Sequence, residues 1–296
     1  MKASNRQFRL TLVIAGSLLG CSLAFGQAPT TQPPAQGQQQ GQQQGQQQGQ
    51  PQGQQQAAPL TLESTPPPVT AEEEAAFKAF NDAPQTDLAK KEQAGSDFLQ
   101  KYPQSRYRAQ VYSWQVKYYY QIGDIDKMEV AADKEIELFP NDAQTLAIAG
   151  SALPRKMNGT PADQQKRLEK AEQYSQKALD LLPTFQKPDN MTDEMFTQAK
   201  NQTSALAYSG LGLVAFRRGK FADAIPNLEK AIQLDPQPDA VNYYLLGICN
   251  EKTSHFDEAV TDFTKCSNIP SGLQANCKNG IDEAKKLGAT QLSAPK

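Results

Sequence analysis

Three cysteines and one histidine near the carboxyl end are the residues with the most reactive side chains. Cys249, Cys266 and Cys277 lie in the last fifth of the chain, and His255 is the only histidine. A metal site needs more ligands at compatible spacing, and neither Cys-x-x-Cys nor His-Glu-x-x-His occurs, so we expect no metal. Cys266 and Cys277 are eleven positions apart on two helices predicted to be neighbours, which favours a disulfide over two independent buried thiols. Cys249 is expected to be a small buried side chain.

The sequence contains no catalytic motif. The segment from Gly210 to Ala215 matches a loose dinucleotide-binding fingerprint, but that fingerprint requires a preceding strand and a glycine turn that opens a helix. Here the pattern is helical on both sides of the glycines. No phosphate-binding Gly-x-x-x-x-Gly-Lys, no Gly-x-Ser-x-Gly and no histidine-based nucleophile system occurs. We therefore expect neither an enzyme nor a cofactor.

Residues 1–26 have the pattern of a bacterial export signal. Lys2, Arg6 and Arg9 precede an apolar run from Leu10 to Leu19 that is too short to span a bilayer. The segment should be removed after export. The expected location is therefore the periplasm or the periplasmic face of the outer membrane.

Two cleavage sites compete at the end of this signal. Ordinary signal peptidase would cut between Gly26 and Gln27, whereas the segment from Leu18 to Cys21 resembles a lipobox, whose cysteine would carry lipid. Ordinary cleavage is favoured because Leu19 is unusual at its lipobox position and the apolar run continues past Cys21. A lipid on Cys21 would be the only contact with a membrane.

Residues 27–70 are predicted to be a disordered tether. They consist almost entirely of Pro, Gln, Gly, Thr and Ala, which offer too little apolar surface to repay the entropy of ordering. A random coil of this length has ends roughly 35 to 40 Å apart. Residues 289–296 are expected to form a short disordered tail.

The net charge of −2 and the pI of about 5.6 give no positive electrostatic field that would attract nucleic acid, so nucleic acid is not an expected partner.

From Thr70 onward the pattern is helical throughout. Thr70 and Glu73 form a capping-box signature, and apolar residues then recur at helical spacing, while no alternating strand pattern appears. The predicted fold is therefore all-α, with the helical domain spanning residues 71–288.

The clearest internal unit covers residues 205–238. It resembles the tetratricopeptide repeat at nearly every signature position: Tyr208, Leu211, Gly212, Ala215, Gly219, Lys220, Phe221, Ala224, Leu228, Ala231 and Pro236. The small Gly212 and Ala224 allow two helices to approach closely, and Pro236 ends the second helix.

Further units flank this one. A second clear unit covers residues 240–273, and a weaker one covers 109–142, where Glu135 replaces a small residue. The unit from Ala143 contains about nine extra residues near 154–162, and about 19 more fall near 186–204. Thr160 and Pro161 are expected to restart the second helix of that unit, and a helix start at Thr192 would make the first helix of the next unit several turns too long. A divergent first pair begins at Ala71, and a last helix after Pro270 closes the array. The prediction is a helix-turn-helix solenoid of about five pairs plus a capping helix.

The resemblance implies that the first helix of each unit lines a concave groove that binds a peptide or a partner's helix. The residues expected in that groove are Gln110, Ser113, Lys117, Tyr120, Gln121, Gln144, Ser209, Leu213, Phe216, Arg217, Tyr244, Ile248, Glu251 and Lys252. Members that bind a terminal carboxylate have lysine and asparagine where this chain has Ser209, Leu213, Tyr244 and Ile248. An apolar or extended ligand is therefore expected.

The predicted function is a non-enzymatic scaffold or adaptor of the bacterial cell envelope, with a protein or peptide as its partner. The junction from Tyr102 to Tyr107 is also similar to that of outer-membrane assembly lipoproteins of the BamD type. That likeness implies an alternative function, a structural component of an outer-membrane assembly or secretion machine.

Overall fold

The computed structural model describes residues 69–189 and 191–292, and this part of the chain is all-α, with no strand. Five helix pairs follow one another: α1 (Ala71–Asp82) with α2 (Leu88–Lys101), α3 (Arg108–Ile122) with α4 (Ile125–Leu138), α5 (Ala143–Ala152) with α6 (Pro161–Leu181), α7 (Asp193–Arg217) with α8 (Phe221–Leu234), and α9 (Ala240–Lys252) with α10 (Phe256–Asn268). A last helix, α11 (Gln274–Leu292), closes the array. The predicted solenoid of five pairs and a capping helix is confirmed. The predicted signal peptide, Cys21 and nearly all of the predicted tether lie outside the described residues.

Side-chain caps begin several of these helices where the sequence predicted them. The Thr70 hydroxyl oxygen accepts a hydrogen bond from the Glu73 amide at 3.1 Å, and α1 begins at the next residue. The insertion in the third unit ends at Thr160, which forms a reciprocal capping box with Asp163. Each cap satisfies amides that a first helical turn leaves without a partner.

The two predicted insertions have different structures. The first forms a short 3-10 turn (Leu153–Arg155) and a loop before α6 begins at Pro161. The second adds turns to the front of α7, which begins after its cap Thr192 and is 25 residues long. A first helix several turns too long was expected for this unit, and the structure confirms it.

The first helices of successive units lie against one another. Close backbone contacts join α3 to α5, α5 to α7, α7 to α9 and α9 to α11. The second helices α6, α8 and α10 have no comparable contacts with each other, and α4 meets α6 through side-chain ion pairs. The side formed by the first helices is therefore the inner surface of the repeat array, as expected for a helix-pair solenoid.

Close helix crossings are set by the eighth residue of each of the last three units. A Cβ atom on Gly212 would lie 2.7 Å from the Leu228 side chain, and one on Gly247 would lie 2.7 Å from the Phe263 ring. In the third unit the corresponding partner of Gly150 is Ser175. A helix can approach this closely only where a side chain is missing.

Three helices meet at Ser175. A Cβ atom on Gly210 of α7 would lie 2.5 Å from the Ser175 oxygen and 2.8 Å from the carbonyl group of Gly150 on α5. The crossing of α5 with α7 is therefore close to backbone contact. The segment that matched a dinucleotide fingerprint is a helix packing site: Gly210 contacts the preceding unit, and Gly212 its own second helix.

The first helix pair is held to α3 by aromatic side chains. Phe80 and Phe98 are fully buried with Val111, and the rings of Phe77 and Tyr107 stack with centroids 4.1 Å apart. The divergent first unit is thus joined to the second by aromatic packing.

The capping helix is joined covalently to the last repeat. The sulfur atoms of Cys266 and Cys277 are bonded, and their Cα atoms lie 5.9 Å apart. A disulfide that closes a loop of this length stabilises the folded protein by about 3 kcal/mol on the chain-entropy estimate.

Cys249 is a free, fully buried thiol, and burial raises its pKa to about 12. It is therefore a core side chain with little thiolate character.

Helix α11 continues to Leu292, four residues beyond the boundary expected at residue 288. Residues 289–292 include Ala, Gln and Leu, which favour helix, and the next proline is Pro295. The expected tail at 289–296 is thus shortened at its start.

Substitution of Gly210 by alanine should destabilise the middle of the array. The new methyl group would meet the Gly150 backbone, which cannot rotate away, so we expect a loss of about 2 kcal/mol. The urea midpoint of unfolding, followed by circular dichroism, measures this loss.

Gly272 provides the matched control, because a Cβ atom there would meet nothing within 4 Å. Gly272→Ala should change stability by less than about 1 kcal/mol. Equal effects of the two substitutions would show that the crossing of α5 with α7 is not closely packed.

Candidate functional site

The residues predicted to line the groove fall into three groups on the inner surface. Gln121, Arg217 and Lys252 are exposed, and Lys117, Tyr120, Phe216, Tyr244, Ile248 and Glu251 are half-buried. Ser209 and Leu213 are buried, with 8% and 6% of their surface exposed. A ligand could reach the first two groups only.

The prediction that Ser209 and Leu213 line the groove is wrong. The Ser209 hydroxyl donates a hydrogen bond of 2.7 Å to the Asn242 side chain on α9, and Leu213 packs with Val241 and Leu245 of the same helix. The beginning of α9 therefore covers this part of α7. Burial of both side chains stabilises the junction between the fourth and fifth units.

The apolar half of the predicted groove also contributes to the core. The ring of Phe216 meets that of Phe221 edge-on, with centroids 5.6 Å apart. Tyr244 and Ile248 pack around Phe263, where Ile281 of α11 joins them. Only parts of these side chains remain open to a ligand.

Tyr120 and Arg155 form the most defined contact on the inner surface. The Arg155 guanidinium lies over the Tyr120 ring at 5.4 Å and donates a hydrogen bond of 3.2 Å to its hydroxyl group. Its Nε atom donates to the carbonyl of Ser151, and its Nη1 atom is buried without a hydrogen-bond partner. Part of the donor capacity of this arginine is therefore unused.

Arg217 extends this contact into the next unit. Its Nε atom donates a hydrogen bond of 3.1 Å to the carbonyl of Pro154, the residue before Arg155. Tyr120, Arg155 and Arg217 thus form a continuous strip across the second, third and fourth units.

Sequence reasoning missed Arg155. The break at Pro154 ended the helical pattern of the third unit, so only Gln144 was assigned to its inner surface. Counting the repeat register through the break would have found Arg155, because it is the thirteenth residue of its unit, as Arg217 and Lys252 are of theirs.

Cations elsewhere on the middle units are neutralised by carboxylates. Arg167 and Lys170 of α6 pair with Glu129 of α4, and Arg218 pairs with Glu172 at 2.8 Å. Arg155 and Arg217 have no carboxylate within 4.0 Å in the described part of the chain. The inner surface therefore carries two guanidinium charges that no carboxylate of the described residues neutralises.

A buried acidic side chain lies beneath Lys117. Glu135 is 2% exposed, and burial, with Asp142 nearby, raises its pKa to about 9. The Asp142 carboxylate already caps α5 by accepting from the Gln144 and Thr145 amides. Burial also lowers the pKa of Lys117, which faces both carboxyl groups. We therefore expect Glu135 to keep its proton at neutral pH, and its Oε2 atom is buried without a hydrogen-bond partner among the described residues.

The described residues contain no group of three or more side chains that could hold a metal ion. His255 precedes α10, and its Nδ1 atom lies 2.8 Å from the Thr253 hydroxyl.

A membrane-spanning helix needs a long apolar stretch, and none of the helices in residues 69–189 and 191–292 has one.

A family model supports the repeat that the sequence predicted at residues 205–238. Residues 205–238 match the family model described as tetratricopeptide repeat. Among solved structures, the crystal structure of the MamA protein matches with 24% identity over 62% of this chain and 90% of that chain, at a TM-score of 0.36. No curated protein matches the chain significantly.

The buried acid should make stability depend on pH. The pKa of Glu135 is about 9 in the folded protein against an ordinary value of 4.5, so the folded state retains a proton that the unfolded state releases. Its contribution is complete below about pH 4.5 and is lost as pH rises towards 9. Glu135→Gln removes this loss, and the two pKa values give an expected stabilisation of about 4 kcal/mol at pH 8 and little at pH 4.5.

Urea unfolding at both pH values measures the effect. Glu137→Gln is the matched control, because Glu137 lies exposed on the same helix and pairs with the exposed Lys134. A Glu135→Gln variant whose stability gain is the same at both pH values would contradict a buried, protonated carboxyl group.

Proposed function

We propose that this tetratricopeptide repeat protein is a non-enzymatic scaffold of the bacterial cell envelope that binds a peptide or a partner's helix on its inner surface. Arrays of this kind use the surface formed by their first helices to hold other proteins. The observation that carries the proposal is the strip of Tyr120, Arg155 and Arg217. It crosses three units with Arg217 exposed and Tyr120 and Arg155 half-buried, while the neighbouring Ser209 and Leu213 are buried.

Site-specific crosslinking in intact cells tests this proposal. A photoreactive phenylalanine at Gln121, which is exposed beside Tyr120, should crosslink to a partner protein that mass spectrometry can identify. The same residue at Lys230, exposed on α8, serves as the matched control and should give no such product. The inner surface is not the binding surface if Lys230 captures the same partner as efficiently, or if Gln121 captures none.

The stoichiometry of the product separates a scaffold from a structural component. Exchangeable, low-affinity partners after detergent extraction indicate an adaptor. A fixed complement of subunits after the same extraction indicates a structural part of an envelope machine, of the BamD-like kind.

Export is supported by two features of the chain. Residues 1–26 have the charge and apolar pattern of a signal peptide, and the cleavage site before Gln27 yields a soluble periplasmic form. The bonded pair of Cys266 and Cys277 fits an oxidising compartment, where such bonds persist.

Peptide mapping without reductant tests export and the bond together. In protein isolated from the cell envelope, Cys266 and Cys277 should be found in one linked peptide pair. In protein made without residues 1–26, which stays in the cytoplasm, both thiols should be free because that compartment is reducing. Free thiols in the envelope form would contradict the pairing.

The same sample reports the processing of the amino terminus. A mature chain that begins at Gln27 supports ordinary cleavage, whereas a chain that begins at a lipid-modified Cys21 supports the lipoprotein alternative.

A further inference from the structure

Three cations occupy one position of the repeat. Arg155, Arg217 and Lys252 are each the thirteenth residue of their unit, counted from Ala143, Ala205 and Ala240, and we call them the basic row. Arg217 and Lys252 lie in the last turns of α7 and α9, and Arg155 in the 3-10 turn that follows α5. Because the first helices of these units are neighbours, the row runs across the inner surface along the array.

Hydrogen bonds show that the first part of the row is continuous. Arg155 reaches back to Tyr120 of the preceding unit at 3.2 Å, and Arg217 reaches back to the carbonyl of Pro154 at 3.1 Å. Each contact crosses from one unit to the one before it. The guanidinium groups are thus held at defined places by side-chain packing and backbone acceptors.

The positive charge of the row is largely uncompensated. Arg155 and Arg217 have no carboxylate partner within 4.0 Å in residues 69–189 and 191–292, and Lys252 pairs only with its neighbour Glu251 at 3.2 Å. Arg218 shows the contrast, because it follows Arg217 in sequence yet is neutralised by Glu172. Unpaired guanidinium groups that are already oriented are favourable sites for carboxylates.

Aromatic rings accompany the cations. Tyr120 and Phe216 are the twelfth residues of their units, and both are half-buried, so each offers part of a ring beside the row. An extended chain presents side chains to alternate sides at about 3.3 Å per residue. Such a chain could therefore place acidic side chains on the row and an apolar side chain on a ring.

We propose that the partner segment bound here is extended and acidic, with side-chain carboxylates on Arg155 and Arg217 and apolar side chains against Tyr120 and Phe216. This inference rests on the proposed function and names the chemistry of its ligand. A terminal carboxylate is not required, because the positions that hold one in carboxylate-binding repeats carry Ser209 and Leu213, which are buried.

Fluorescence anisotropy with a labelled peptide tests the inference. The probe is a peptide of about twelve residues in which pairs of glutamate alternate with single leucines, titrated with the mature full-length protein at about 0.1 M salt. The doubly substituted Arg155→Gln, Arg217→Gln protein should bind it at least about tenfold more weakly, because both oriented charges are removed. Unfolding midpoints of each variant verify that the fold is retained.

The matched control is Arg218→Gln, which removes the same side chain from the adjacent position and should leave binding unchanged. A peptide with lysine in place of glutamate should not bind. A single-stranded oligonucleotide of the same net charge should bind at least about tenfold more weakly than the acidic peptide, because the row offers few cations and the protein carries net negative charge.

Several results would overturn the inference. Unchanged peptide binding by the double variant, an equal loss with Arg218→Gln, or equal binding of the oligonucleotide would each show that the row does not recognise an acidic segment. If Gln121 still crosslinks to a partner in such a case, the proposed scaffold function stands and only its acidic ligand is wrong. If Gln121 captures nothing, the proposed function itself fails.

Discussion

The arrangement of the middle units depends on one close crossing of helices. Gly150 and Gly210 face each other across α5 and α7 at nearly backbone contact, with Ser175 of α6 filling the remaining space. The fourth and fifth units have Leu228 and Phe263 at the position of Ser175, each packed on its own glycine. A serine at this position leaves room for a third helix. The long α7 can therefore pack closely on α5 as well as on α6.

This crossing also determines which inner-surface residues remain open. Helices that approach so closely cover the middle of their shared face, and α9 covers the next part of α7 by packing on Leu213 and bonding Ser209. The open positions are then those near the ends of the first helices, where Tyr120, Phe216 and Arg217 lie. The candidate binding surface is thus what tight packing leaves uncovered.

The sequence predicted the features that depend on local pattern. The caps at Thr70, Thr160 and Thr192 could be predicted because each threonine accepts hydrogen bonds from amides within the next few residues. The burial of Ser209 and Leu213 could not be predicted from the sequence, because it depends on where α9 lies. The repeat register alone places both residues on the inner surface. The role of Gly210 was missed for the same reason, because its partner Gly150 lies 60 positions earlier in the chain.

The insertion that interrupts the third repeat is also what builds its binding strip. Pro154 ends α5 early, so the backbone turns and offers the Pro154 carbonyl to Arg217 instead of burying it in a helix. The same turn places Arg155 where it can reach Tyr120. An uninterrupted α5 would carry residues 154 and 155 in regular helical positions, with that carbonyl bonded within the helix. The departure from the repeat pattern therefore joins three units into one surface, and an uninterrupted third unit would lack that connection.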